Sequence, residues 1–255
     1  MDIAMIVTDL DGTLLRSDKT ISAHTAEVLR RCQARGMLLA FATARPPRTV
    51  ERVALDARPD VLICHNGALV RDARGDEARC AIPFDEAVAL ARRLAAQNAG
   101  ATVSLELGDR LYANFDMSGI RFCEDYIHTD FCGLPRGPVY KLIAGISSPD
   151  DIGRIAALLP PELYVQRCEE ALALIMARGA TKLNGIRQVA AARGIPLERV
   201  AAFGDDVNDV EMLRACGVGV AVANALSDVK SAANCICGAN DDDGMARWLA
   251  ENALG

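Results

Sequence analysis

Apolar positions in the first third of the chain fall into short runs separated by stretches with helical spacing. Residues 4 to 8 (AMIVT) read as a buried strand that enters the turn Asp9-Leu10-Asp11-Gly12-Thr13. Ser22 is placed to cap a helix through Arg35, with Ala26, Leu29 and Cys32 on one face and Gly36 as its stop. A second strand is predicted at 37 to 42, ending at Thr43-Ala44-Arg45-Pro46-Pro47, and a helix near 47 to 56 follows. A third strand at 61 to 64 ends at His65-Asn66-Gly67. Strands alternating with helices in this way predict βαβ units and a parallel sheet.

The rhythm changes between residues 82 and 178. The pattern there predicts a helix at 84 to 98, two strands around Gly108-Asp109, a strand at 139 to 144, a helix at 149 to 159, and strands at 162 to 168 and 171 to 177. The βα alternation then resumes with a helix at 182 to 193, a strand at 200 to 203, a helix at 207 to 215, a strand at 218 to 222 and a terminal helix from about 242. The expected fold is therefore α/β: a Rossmannoid parallel-sheet core from residues 1–81 and 179–255, interrupted by an α+β domain at 82–178. Both halves of the core are needed for one sheet.

Composition narrows the function classes. The 255 residues carry 28 Lys plus Arg against 34 Asp plus Glu, a net charge of -6, which argues against a nucleic-acid partner. An apolar fraction of 51% with 24% charged residues suits a chain that buries a core. No apolar run approaches the roughly 18 to 20 residues needed to span a bilayer, and the N-terminus lacks a basic start and a cleavage site. A soluble, cytoplasmic protein without a membrane partner is expected. The nine cysteines are an odd number, mostly in apolar segments, as reduced core thiols would be. Three scattered histidines offer no zinc set, so any metal should be a hard one.

Polar groups stand at the predicted carboxyl ends of core strands, where open α/β sheets hold their ligands. They are Asp9 and Asp11, then Thr43, then Asp205, Asn208 and Asp209; Lys182, one of four lysines, opens a helix after the insert. Carboxylates gathered at one sheet edge repel one another and call for a cation. Oxygen ligands with room for water favour Mg²⁺. A helix-loop-helix calcium loop is excluded, because Gly12 comes fourth from Asp9 and follows a strand. Gly217-Val218-Gly219 lacks the third glycine of a dinucleotide fingerprint, and the acidic run Asn240 to Asp243 is most simply a helix cap.

The motifs DLDGT (9–13), ATAR (42–45), HNGA (65–68), Lys182, GDDVND (204–209), VANA (222–225) and DDDG (241–244), in this order, resemble the haloacid dehalogenase-like (HAD) phosphatase superfamily. The long gap between Thr43 and Lys182 points to its Cof-type branch, with a type IIB cap. The resemblance implies that Asp9 is a nucleophile forming an aspartyl-phosphate. It implies that Asp11 is the acid and then the base, its main-chain carbonyl helping to hold the metal. Thr43, Lys182 and Asn208 would bind phosphate. The metal set would be Asp9, Asp11, Asp205 and Asp209, although Asp209 also suits helix electrostatics or support of Lys182. Arg45 and Asn66 fall on the substrate side, where Arg45 could equally pair with a surface carboxylate. Ala44 and Leu183 stand where this branch commonly has glycine.

The expected activity is Mg²⁺-dependent hydrolysis of small phosphorylated metabolites, such as sugar phosphates or phosphorylated cofactors, with the cap selecting among them. A phosphotransferase or mutase on the same residues is the rival enzyme, and a phospho-accepting signalling domain or a silent sugar-phosphate sensor the rival from another class. The sequence does not set the oligomeric state.

Overall fold

The computed structural model describes residues 1–53, 57–75, 77–98, 100–118, 120, 125–168 and 171–255. The predicted end of the second helix, residues 54–56, and Cys123 lie outside them. The chain divides into two compact units, Met1–Ala78 with Thr181–Gly255, and Arg79–Ala180.

The first unit opens with β1 (Met5–Thr8), α1 (Ala23–Ala34), β2 (Leu38–Ala42), α2 (Pro47–Val53), β3 (Val61–Cys64), β4 (Leu69–Asp72) and β5 (Glu77–Arg79). The second unit contributes α3 (Phe84–Ala95), β6 (Val103–Leu107), β7 (Arg110–Ala113), β8 (Tyr126–His128), β9 (Val139–Gly145), α4 (Asp150–Ala156), β10 (Leu163–Cys168) and β11 (Leu172–Ala177). The chain then returns with α5 (Lys182–Arg193), β12 (Val200–Gly204), α6 (Val210–Ala215), β13 (Val218–Ala221), α7 (Ser227–Ala232), β14 (Cys235–Ile236) and α8 (Gly244–Asn252).

The core sheet has the order β14-β13-β12-β1-β2-β3-β4-β5. From β14 to β3 every neighbouring pair is parallel, and β4 turns back antiparallel on β3. Met5, Val7, Ala40 and Ile63 pack with Ile186, Leu213 and Val229 from the helices on one face. On the other face Phe203 meets Trp248 of α8 edge-on, ring centroids 5.4 Å apart. Strands covered on both faces must be apolar throughout, which is why they read as continuous runs rather than alternations. Ser22 caps α1 as expected, its side chain accepting from the Thr25 amide at 3.0 Å.

The second unit carries a six-stranded sheet of order β10-β11-β9-β6-β7-β8, antiparallel except for the β7–β8 pair. The buried positions of α3, Ala87, Leu90, Ala91 and Leu94, recur at helical spacing, and this stripe packs on β6 and β9. Among the described residues no helix is long and apolar enough to cross a membrane.

Several elements differ from expectation. The predicted helix 207 to 215 begins with a tight turn, Val207–Asp209, before α6 proper. Strands β4, β5 and β8 and helix α7 were not anticipated. Each is short, and α7 (SDVKSA) has only Val229 buried, so there is little periodicity to detect.

Candidate active site

β1 is the hinge of the sheet: the strands that precede the insert follow on one side of it and those that come after lie on the other. In register, Thr8 sits opposite both Phe41 of β2 and Phe203 of β12. Asp9, Thr43 and Asp205 therefore leave the sheet at one edge, at the topological switch point where such folds hold ligands. They line a cavity of about 360 Å³ with Asp11, Gly12, Ala44, Asp206 and Asn208.

The turn after β1 needs glycine. Gly12 has φ +77°, and a Cβ there would collide with the Asp205 carboxylate. Thr13 Oγ1 donates to Asp205 Oδ1 at 2.6 Å, fastening the turn after β1 to the β12 loop.

Lys182, only 1% exposed, enters from the first turn of α5. Thr181 caps that helix by accepting from the Asn184 amide at 3.1 Å. The cap seats against Gly67, φ +96°, where a side chain would strike the Thr181 carbonyl. Lys182 Nζ lies 3.0 Å from Asp9 Oδ1 and 2.7 Å from Asp209 Oδ1. Burial works to lower the Lys182 pKa, but the Asp209 and Asp9 carboxylates outweigh it and hold the ammonium above its ordinary value. Leu183 turns the other way, into the core cluster.

Burial pushes the Asp9 carboxyl well above the usual carboxylate range; Lys182 opposes this, while Asp209 and Asp205 add to it. Burial likewise raises Asp205 to about 6, against the Thr13 hydroxyl. One oxygen of each of Asp9, Asp205 and Asp209 lies within 4.8 Å of the others. Three carboxylates against one ammonium leave an excess of negative charge, and the Asn208 side-chain carbonyl oxygen, buried among the same loops, has no hydrogen-bond partner among the described residues. Hard oxygen donors of this kind fit a divalent cation such as Mg²⁺. Asp209 is already engaged on both oxygens, since Oδ2 accepts from the Asp205 and Asp206 amides at 3.0 and 3.1 Å.

The Asp11 carboxylate stands outside that cluster. Arg45 grips it in a fork, Nε to Oδ2 at 2.5 Å and Nη2 to Oδ1 at 2.7 Å, and Lys19 Nζ reaches Oδ1 at 2.8 Å. Burial would raise the Asp11 pKa, but Arg45 and Lys19 hold it down to about 2. Arg45 thus pairs with a carboxylate that lines the site cavity. Thr43, 1% exposed, accepts from the Arg45 amide at 3.2 Å. Asn66, in the left-handed region at φ 53°, accepts from Asn208 Nδ2 at 3.1 Å and so touches the site through Asn208.

The acidic run is a correction. Asp243 precedes α8 in a left-handed conformation and makes no capping bond. It receives Arg16 Nη2 at 2.8 Å and Thr25 Oγ1 at 3.2 Å, while Asp241 receives both the amide and hydroxyl of Ser17. These carboxylates tie down Arg16 and Ser17, in the segment after the Asp9–Thr13 turn. Lys19, Thr13 and Asn224 also belong to the site and were missed. Thr13 could have been found from its place in DLDGT, whereas Lys19 depends on a turn at φ +68° that no pattern announced.

The profile of the family described as haloacid dehalogenase-like hydrolase matches residues 6–249. The chain belongs to that family. This hydrolase is 29% identical over 261 residues to a 5-amino-6-(5-phospho-D-ribitylamino)uracil phosphatase of Bacillus subtilis, covering 97% of this chain and 96% of that one. Its fold matches a phosphatase of the superfamily from Bacteroides thetaiotaomicron with a TM-score of 0.86, at 24% identity, over 99% of this chain and 96% of the other. A solved subclass IIB sugar phosphatase superimposes with a TM-score of 0.83, at 24% identity, over 98% and 99% of the two chains. The enzyme is a HAD phosphatase of the Cof type, a phosphomonoester hydrolase.

Proposed function

We propose that the enzyme hydrolyses small phosphorylated metabolites through a phosphoryl intermediate on Asp9. The observation that carries the reading is the seating of Asp9: at the switch point, 3.0 Å from the buried Lys182 ammonium and clustered with Asp205. In the first half-reaction the Asp9 carboxylate attacks phosphorus, the ester P–O bond breaks, and the leaving oxygen takes a proton from Asp11. In the second, water attacks the same phosphorus and gives a proton to Asp11. The acyl-phosphate P–O bond breaks, Asp9 is regenerated and phosphate leaves.

Lys182 and the Thr43 hydroxyl hold the phosphoryl oxygens as charge shifts onto them. Asp209 keeps Lys182 aimed at Asp9. A Mg²⁺ ion, held by Asp9, Asp205 and the free Asn208 carbonyl with the Asp11 main-chain carbonyl, would neutralise the carboxylates and polarise the phosphoryl group. Asp11 works as an acid only once protonated, and a substrate anion that competes for Arg45 and Lys19 loosens the pairs that keep it ionised.

We assign substrate choice to the insert, because the phosphoryl-handling residues all belong to the first unit. The relative from Bacillus subtilis acts, by its name, on a phosphorylated ribityl-pyrimidine, and the solved subclass IIB neighbour is a sugar phosphatase. Polyol and sugar phosphates are therefore the first substrates to try. Turnover across a panel of phosphorylated metabolites, with Mg²⁺ present and then chelated, tests the reading. Release of phosphate from none of them in Mg²⁺ would end it.

A further inference from the structure

Nothing in the mechanism above uses Asn224 or Asn240, yet both grip the nucleophile turn. Asn224 Nδ2 donates to the Gly12 carbonyl at 2.7 Å, and Asn240 Nδ2 donates to the Leu15 carbonyl at 2.9 Å. The two are linked, because the Asn240 amide donates to Asn224 Oδ1 at 3.0 Å. The turn they hold is a single coil, with the Leu15 amide on the Leu10 carbonyl at 2.7 Å and the Leu14 amide on the Asp9 carbonyl at 3.3 Å.

The loop that carries Asn224 is itself anchored to the site. The Leu226 amide donates to the Asp205 carbonyl at 3.0 Å, and the Ala225 amide closes a turn on Val222 at 3.0 Å. Asn240 is buried at 8% exposure, so its side-chain bond to the Leu15 carbonyl is shielded from water.

We infer that Asn224 and Asn240 are positioning residues for phosphoryl transfer: a linked pair of side-chain amides that fixes the coil between Asp9 and Leu15, and with it the aim of the Asp9 carboxylate. The carboxy-terminal segment is on this view part of the catalytic apparatus, though it touches no reacting atom. The inference rests on the phosphatase reading above.

The test uses the full-length enzyme. Asn224→Asp keeps the acceptor for Asn240 but removes the donor to Gly12; Asn224→Ala removes both. Because Asn224 is exposed, neither change should disturb folding, whereas Asn240→Ala empties a buried position and serves as a third variant. Both Asn224 variants should lower kcat for nitrophenyl phosphate by about 10- to 100-fold with KM little changed, as expected for a misaimed nucleophile. Amide hydrogen exchange at residues 10–15 should quicken in both, and Asn224→Gln, which restores the donor, should recover part of each effect. Wild-type kcat in Asn224→Ala, or unchanged exchange at residues 10–15, overturns the inference. Exchange reads the coil without turnover, so a wild-type enzyme that hydrolysed no phosphoester would defeat the phosphatase reading alone.

Discussion

Arg45 holds Asp11 by both carboxylate oxygens, at 2.5 and 2.7 Å, so the expected acid is stored as an ionised base. A forked guanidinium–carboxylate pair is stronger and more directional than a single contact. Arg45→Met should therefore release Asp11 from about 2 towards the ordinary carboxylate value near 3.8, with Lys19 still retaining part of the depression. Carbon-detected NMR titration of the Asp11 carboxyl measures this directly. An unmoved titration would show that the fork has no influence on the proton.

The buried carboxylates set activity against stability. Asp9→Asn removes the proposed nucleophile while keeping its size, and it also removes a carboxyl that burial penalises. Turnover should vanish, yet without divalent cations the variant should melt above wild type. Asp205→Asn should behave similarly in sign and more weakly, because Asp205 is only partly buried and accepts from Thr13. A gain of about 1 kcal/mol corresponds to roughly 2–4 °C in a chain of this size. Differential scanning calorimetry in chelator decides, and a lower Tm for Asp9→Asn would show that its pairing with Lys182 outweighs the cost of burial.

The same groups predict a pH signature. A carboxyl whose folded pKa lies above its unfolded value binds its proton more tightly in the native state. Its contribution is complete below the unfolded value near 3.8 and is lost as pH rises through the folded one, about 6 for Asp205 and higher for Asp9. The cation-free enzyme should lose Tm between pH 4 and 8, while Asp11, depressed to about 2, contributes in full across that window and loses its contribution only as pH falls below it. Mg²⁺ favours the ionised carboxylates and should restore more Tm at pH 8 than at pH 5. Equal restoration at both would disconnect the cation from these groups.

The parallel core was legible because strands covered on both faces leave unbroken apolar runs, and the insert because that rhythm stops at one point and resumes at another. The residues at the strand ends, Asp9, Thr43 and Asp205, could be placed at one sheet edge from order alone. What stayed hidden depends on partners distant in sequence. Lys19 reaches Asp11 only because a residue in the left-handed region turns the segment back, and Asp241 and Asp243 looked like caps because Ser17 and Arg16 lie more than two hundred positions away. A charge run shows its sign in the sequence but not what it grips.

The two aspartates of the nucleophile turn can be separated by leaving group. Asp9 must attack whatever the ester is, whereas an acid is needed in proportion to how poor the leaving oxyanion is. A nitrophenolate leaves more readily than an ordinary phenolate, whose pKa is about 10 as for Tyr, and a sugar alkoxide is more basic still. General acid assistance is worth about 10²- to 10⁴-fold. Asp11→Asn should therefore slow phosphorylation by a sugar phosphate by a factor of that order and by nitrophenyl phosphate far less, while Asp9→Asn abolishes both. Single-turnover measurement isolates this step, since the role proposed for Asp11 in activating the water that cleaves the intermediate would slow both substrates at steady state. Freed of Asp11, Arg45 and Lys19 keep their charges beside the substrate, so binding should hold or tighten in this variant. Equal losses on the two substrates in the phosphorylation step would mean that Asp11 serves the geometry of the turn, and that the proton comes from another group.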